Sequence, residues 1–356
     1  MTFELESLVR KNILGMMKYA SARDEFSGKA KIFLDANENS YGSPAGGALN
    51  RYPDPLQREL RKKIAEERGI AREEQIFLGN GSDEAIDLLM RVFGEPRIDS
   101  IMVMPPTYGM YKVCADINDL AVLQVSLRPD YSLDTELILK TAAEKKPKLI
   151  FICSPNNPSA NLMDTDSIRR ILDESNAIVV VDEAYIDFAD AESWTKEIDA
   201  HPNLVVLQTF SKAWGMAALR LGMAFASPEI VALMNKIKYP YNISDLTAKT
   251  VISALRQTRE KEHIVRQIKT ERSRLMTAIA DLPFVKEVLP SAANFFLVRF
   301  TDAAAVYRYL REKGVIVRDR SGQMHCRECL RITVGTPDEN RFLCAVLEDF
   351  GKEMAL

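Results

Sequence analysis

Residues 203–222 read NLVVLQTFSKAWGMAALRLG. NLVVLQ is almost wholly apolar and lacks the polar alternation of a half-solvated strand, so it reads as a strand covered on both faces. WGMAAL, after it, is nearly as apolar and reads as a second buried segment. Between them stands Lys212, with hydroxyls at Thr209 and Ser211 before it and Arg220 after it. A buried ammonium is costly unless something compensates it. Either Lys212 is the solvated tip of a loop, with its stem snorkelling, or the fold holds its amine for chemistry.

Working outward, runs of the same kind recur from about Gln75 to Phe225. QIFLGN, SIMVMPP, AVLQVSL, KLIFICSP, AIVVVDEAY and NLVVLQTFSK are strand candidates. SDEAIDLLMRVFG, PTYGMYKVCADIN and TDSIRRILDES, between them, carry helical spacing. Ser82 and Asp83 are good N-cap types, and Gly94 is a good stop. The alternation predicts an α/β fold whose large domain holds a mostly parallel, doubly wound sheet. Leu246 to Leu282 is periodic and charged, as in a connecting helix or helix pair. Beyond it, FVKEV, NFFLVRF, VIVRD and CLRITVG read as strands, and AAAVYRYLREKG and PDENRFLCAVLEDFG as helices, giving a smaller α+β domain. The expected division is an N-terminal arm at 1–44, a large domain at 45–240, and a connecting helix with small C-terminal domain at 241–356.

The bulk properties restrict the function. A chain of 356 residues suggests about two domains. A net charge of -3 argues against a nucleic-acid partner. No apolar run approaches the ~18–20 residues of a membrane span, so no membrane partner is expected. MTFELESLVRKN has no apolar leader core, and five cysteines suit reduced thiols, so a cytoplasmic location is expected. Cys326 and Cys329 form one isolated CxxC, without the second pair that a zinc site needs, and no metal is expected.

In an open parallel sheet, ligands bind beyond the carboxyl ends of the strands. Each run here ends in polar residues: GNGSDEA, PPTYGMY, SPNNPS, DEAY and TFSKA. Asp182, after five apolar residues, is either a helix cap or a buried carboxylate in need of a cationic partner such as a pyridinium nitrogen. Tyr185 offers a phenol to the same ligand, or is core. Asn157 is either a turn residue between Pro155 and Pro158 or a ligand donor. The glycines of GNGSDEA lead into a helix whose first N–H groups suit a phosphate. Thr209, Ser211 and Arg220 add phosphate donors, and the Tyr108 ring covers a flat ligand or packs on the sheet. Taken singly, each bland reading survives. Together the residues describe an aromatic ring, a phosphate and an aldehyde within reach of Lys212, which is pyridoxal 5′-phosphate.

LDANEN, RYPDP, GNGSDEAIDLLMRVF, PPTYGMY, SPNNP, VVVDEAYIDF, TFSKA with LRLG, KYPYNIS, NFFLVRF, VIVRDR and CLRITVGT run in order from about residue 34 to 336. In these the chain resembles the fold-type I pyridoxal phosphate aminotransferases, whose large domain is aspartate aminotransferase-like, and more narrowly their histidinol-phosphate branch. SPNNPSA in place of SPNNPTG, and AWGMAALR in place of a version with AG, are departures beside the cofactor. The resemblance implies that Lys212 carries the cofactor and shuttles the proton, that Asp182 pairs with the ring nitrogen, and that Asn157 and Tyr185 bond the ring hydroxyl. It implies that Tyr108 stacks on the ring and that Ser82, Asp83, Thr209, Ser211 and Arg220 hold the phosphate. It implies a homodimer in which Tyr52 reaches the phosphate across the interface, with the N-terminal arm on the small domain or the partner subunit. Tyr19, Asn37, Arg318 and Arg331 are the implied substrate residues, with Arg320 a further candidate. The implied reaction is amino transfer between histidinol phosphate and 2-oxoglutarate. A threonine-phosphate decarboxylase and an aromatic amino acid aminotransferase are alternatives on the same scaffold. A non-catalytic cofactor sensor is a fourth reading, but an added DNA-binding segment is not expected in this chain.

Overall fold

A computed structural model describes residues 3–21, 23 and 31–354. Over these residues the strands β1 (Ile76–Asn80), β2 (Ser100–Val103), β3 (Ala121–Gln124), β4 (Leu149–Cys153), β5 (Ile178–Asp182), β6 (Leu204–Thr209) and β7 (Leu221–Ala226) form one sheet, ordered β1-β7-β6-β5-β4-β2-β3. The pairs from β3 through β6 are parallel, and β7 runs antiparallel to both β6 and β1. The sheet is therefore mostly parallel, as expected. β7 is absent from the sequence reading. Its six residues include Gly222, Ala224 and Ala226, which lack the β-branched signature of its neighbours. WGMAAL is also corrected. Ala217–Leu219 form a single 3₁₀ turn, and Ala217 and Ala218 are exposed. Lys212 is thus flanked by one buried strand, not by two buried segments.

The continuous apolar runs have a simple cause. Leu149, Phe151, Ile178, Val180, Val205 and Leu207 point to one core, while Ile150, Ile152, Val179, Val181, Leu204 and Val206 point to the other. Successive strand residues face opposite sides, so both parities must be apolar when both faces are covered. Helices Gly81–Phe93, Met110–Ile117 and Pro228–Ile237 cover one face; Arg58–Arg68, Thr135–Lys145 and Thr165–Glu174 cover the other.

The start of the N-terminal arm lies on this large unit rather than on the small one. Leu8, Val9 and Ile13 are buried in the same core as Val92 and Phe93. The Arg10 N–H donates to Val92 O at 3.0 Å, and its guanidinium pairs with Glu95 at 3.2 Å. Three apolar side chains at turn spacing find an apolar helix face there.

Asp245–Ala254 and Thr258–Ala280 form the connecting helix pair. The small unit is the antiparallel sheet β10-β11-β9-β8, from β8 (Val285–Val288), β9 (Phe295–Phe300), β10 (Arg318–Asp319) and β11 (Cys329–Thr333). Helices Ala303–Glu312 and Pro337–Met354 join Phe296, Val298, Phe300, Leu330 and Ile332 in its core. A separate cluster fills the seam between the units: Ala160, Tyr185, Phe188 and Ala213 meet Val265, Ala293 and Phe295. Among the described residues no helix is long and apolar enough to cross a membrane, and no group of three or more potential ligands is poised for a metal.

Candidate active site

The strand ends converge on a cavity of about 250 Å³. Ser82, Asp83, Tyr108, Asn157, Asp182, Tyr185, Thr209, Ser211, Lys212 and Arg220 all line it, with Gly81, Cys153, Ala184 and Ala217. The sheet is the reason. β4, β5 and β6 are parallel, and Cys153 and Asp182 share a register position. Their C-terminal residues therefore emerge on one rim.

At the floor lies Asp182, with 3% of its surface exposed. Its Oδ2 accepts from the Tyr111 hydroxyl at 2.7 Å, and its Oδ1 accepts from the Ala184 N–H at 3.1 Å. Burial pushes its carboxyl up, and the two donors pull the other way. No cation pairs with it among the described residues, so this is a buried carboxylate whose charge is met only by neutral donors. Such a group favours a cationic partner.

Lys212 follows β6, beyond the side chains of Thr209 and Ser211. The Thr209 hydroxyl donates to Ser211 Oγ at 3.0 Å, and the Ser211 N–H donates to Thr209 Oγ1 at 3.1 Å, which folds this loop into a tight turn. The Lys212 ammonium lies 5.5 Å from the centre of the Tyr185 ring. It has no hydrogen bond or ion pair among the described residues. The residue is open to solvent at the cavity mouth, yet burial around the ammonium lowers its pKa below the ordinary 10.5, with Arg331 adding to the drop and Asp182 opposing it.

One wall is an anion cradle. Ser82 and Asp83 stand not at the cap but in the first turn of helix Gly81–Phe93. The N-cap is Asn80, whose side chain turns away to donate to Asn242 O at 2.7 Å and caps nothing. Past Gly81, the Ser82 and Asp83 N–H groups make no hydrogen bond among the described residues, and both residues line the cavity. Gly81 has φ +72°, and a Cβ there would lie 2.7 Å from Arg220 Nη2. A Cβ on Gly222 would lie 2.1 Å from Ser82 N. Both positions require glycine if β7, the helix start and Arg220 are to meet. Arg220 itself sits at φ 53°, and its carbonyl accepts from Gly81 N at 2.8 Å.

Beside the cavity, at Asn157 and Tyr185, the two units meet. Arg331 Nη1 donates to Asn157 Oδ1 at 2.5 Å and its guanidinium stands 5.1 Å over the Phe295 ring. Tyr185 packs edge-on against that ring at 5.0 Å. Arg318 pairs in register with Arg331 across β10 and β11. None of Arg318, Arg320 and Arg331 makes an ion pair among the described residues. Burial lowers the pKa of both Arg320 and Arg331, with Arg318 lowering each and Arg320 lowering Arg331 as well. Such a cationic cluster awaits an anion.

Beyond Arg318, Arg320 and Arg331, three more expected residues lie outside the cavity lining. Tyr52 is half exposed, stacked on Tyr241 at 4.4 Å, with its N–H donating to Glu38 Oε1 at 2.7 Å. Tyr19 is exposed on the N-terminal arm, beside Met16 and Tyr239. Asn37 is exposed at φ 53°. Sequence reasoning missed Tyr111, whose only signal is its place in PTYGMY one turn beyond Tyr108, and it missed Cys153 at the end of β4.

The residues fit pyridoxal phosphate: a glycine-lined anion cradle at one end, a buried carboxylate at the floor and an unpaired amine between. The family model described as "Aminotransferase class I and II" matches residues 29–347. Histidinol-phosphate aminotransferase of Parabacteroides distasonis is 51% identical over 97% of this chain and 99% of its own length. The protein of the same name from Cytophaga hutchinsonii is 52% identical over 98% of this chain and 100% of its own. The solved structure of histidinol-phosphate aminotransferase from Sinorhizobium meliloti in complex with pyridoxal-5′-phosphate is 24% identical, with a TM-score of 0.79 over 90% of each chain.

Proposed function

The chain belongs to the class I and II aminotransferases, in their histidinol-phosphate branch, and from that premise we propose that it moves an amino group between histidinol phosphate and 2-oxoglutarate with pyridoxal phosphate as cofactor. The observation that carries the reading is one cavity holding an unpaired lysine amine, a buried carboxylate and an uncapped helix start, with Arg331 bonded to Asn157 at its edge.

Bound pyridoxal phosphate supplies an aldehyde that condenses with amines and a protonated ring that takes up the electrons released when the substrate carbon loses its proton. The chain supplies the rest. Lys212 would hold the cofactor through its amine and carry the proton to and from the substrate carbon. Its depressed pKa makes the neutral amine more abundant near neutral pH, which both tasks require. Asp182 would receive the ring N–H and keep it protonated. Asn157 and Tyr185 would bond the ring hydroxyl, and Tyr108 would cover the ring. The Ser82 and Asp83 N–H groups, Thr209, Ser211 and Arg220 would hold the phosphate. Histidinol phosphate carries no carboxylate, whereas glutamate carries two, so one anion site must accept phosphate or carboxylate. Arg331 with Arg318 suits both, because a guanidinium offers paired donors to either.

The functional unit is a homodimer, in which Tyr52 completes the partner's phosphate site and Tyr19 and Asn37 approach the partner's substrate. Their positions away from their own cavity support this. The test is glutamate formation from histidinol phosphate with 2-oxoglutarate, run beside CO2 release from O-phosphothreonine. Glutamate formation that requires histidinol phosphate is expected. CO2 release without amino transfer would reassign the chain to a decarboxylase.

A further inference from the structure

Asp182 is held by a residue with no role in the reading above. Tyr111 is fully buried. Its ring stacks on Phe151 at 4.8 Å and meets Tyr108 edge-on at 5.5 Å, which holds its hydroxyl between the Cys153 thiol and Asp182. It donates to Asp182 Oδ2, at 2.7 Å. A phenol has a single proton, and its donation is stronger to an ionised carboxylate than to a neutral carboxyl. With the Ala184 N–H on Oδ1, each oxygen has one neutral donor and a lone pair to spare.

We propose that Tyr111 is a positioning residue for the cofactor: by donating to Asp182 Oδ2 it keeps the carboxylate ionised and oriented before and after the cofactor's ring nitrogen arrives. The proposal rests on the cofactor reading given above. The groups that face Asp182 are Tyr111 from helix Met110–Ile117, Cys153 at the end of β4, Asp83 from helix Gly81–Phe93, Lys212 after β6, and Tyr108 and Tyr185. Only Lys212 is cationic, and it makes no ion pair with Asp182. Removing the phenol therefore leaves burial opposed by the Ala184 N–H alone among the hydrogen bonds, and the carboxyl rises further.

The experiment titrates cofactor-free protein with pyridoxal phosphate from pH 5 to 9, read by absorbance. It compares the unaltered chain, Tyr111→Phe, Asp182→Asn and the double variant. Uptake by the unaltered chain is read first and tests the cofactor reading separately. In Tyr111→Phe the affinity should fall by about ten- to a hundredfold, the range of a hydrogen bond to a charged group. The acid limb of the affinity profile should move to higher pH. On the Asp182→Asn background the same replacement should change affinity by less than about twofold, because contacting residues that act together are not additive. An equal loss on both backgrounds, or an acid limb that stays in place, would overturn the proposal. If Tyr111→Phe does not fold, 3,5-difluorotyrosine at position 111 carries the test. Its more acidic phenol donates more strongly, and the acid limb should move to lower pH; an unmoved limb overturns the assignment.

Discussion

At the residue scale, two side chains carry the chemistry and each has its own signature. Lys212→Ala should remove the cofactor linkage that borohydride fixes and reduce amino transfer by at least about a thousandfold, the scale of losing an essential base. Mass spectrometry of reduced protein checks the first, and retention of a fixed cofactor at another lysine would reject the assignment. Asp182→Asn keeps the shape but cannot hold a ring proton. Its single-turnover rate should fall by several orders of magnitude, at about 1.4 kcal/mol per tenfold, with a smaller change in cofactor content. Both residues were legible because Asp182 ends a continuous apolar run and Lys212 stands three residues past the end of another, and the parallel sheet brings such positions to one rim. Tyr111 was not. It lies on a helix, and its aim at Asp182 is set by the stacking of its ring on Phe151 of β4, which one-dimensional spacing does not encode.

At the element scale, β7 matters most to the site and was the strand missed. Its antiparallel course brings Gly222 against the start of helix Gly81–Phe93. Gly222→Ala would drive a methyl into backbone and must displace the cradle. We expect a loss of about 1–3 kcal/mol or more in stability and weaker cofactor retention, read by thermal melting and dialysis; an unchanged melting temperature would show that the cradle yields freely. The end of β5 carries a second consequence. Glu183, beside Asp182 in sequence, is buried, and accepts from Ser193 Oγ, the Trp194 N–H and Gln208 Nε2. Burial outweighs these donors and pushes its carboxyl up to about 7, from an ordinary 4.5. A folded-state pKa above the unfolded value means that the stabilising contribution is complete below about 4.5 and lost as the pH rises through 7. The swing is roughly 2–4 kcal/mol at ~1.4 kcal/mol per unit. The cofactor-free protein should therefore lose melting temperature from pH 5 to 8, and Glu183→Gln should lose less. Equal slopes would mean that Glu183 does not titrate in this range.

At the scale of the whole molecule, the two-unit architecture and its connecting helix pair were legible from the alternation of runs, because buried parallel strands must be apolar at both parities. The course of the N-terminal arm was not, since its few apolar residues fit any exposed apolar face. The exposed stack of Tyr52 on Tyr241 leads to a test of assembly. Chains with Tyr52→Ala are mixed with Lys212→Ala chains under subunit exchange. If Tyr52 serves the partner's cavity, a mixed dimer has one cavity with both lesions and one with neither, and activity returns toward one site in two. If it serves its own cavity, every site keeps a lesion and nothing returns. The central claim, a lysine-held cofactor that exchanges an amino group with a phosphorylated amine, is tested most directly by a half-reaction. Histidinol phosphate is added to the cofactor-loaded chain without any keto acid, and the visible absorbance is followed. The assignment predicts stoichiometric loss of the visible band to the pyridoxamine form, and its return when 2-oxoglutarate is added. A band that persists with histidinol phosphate, or that falls and is not restored by 2-oxoglutarate, would contradict it.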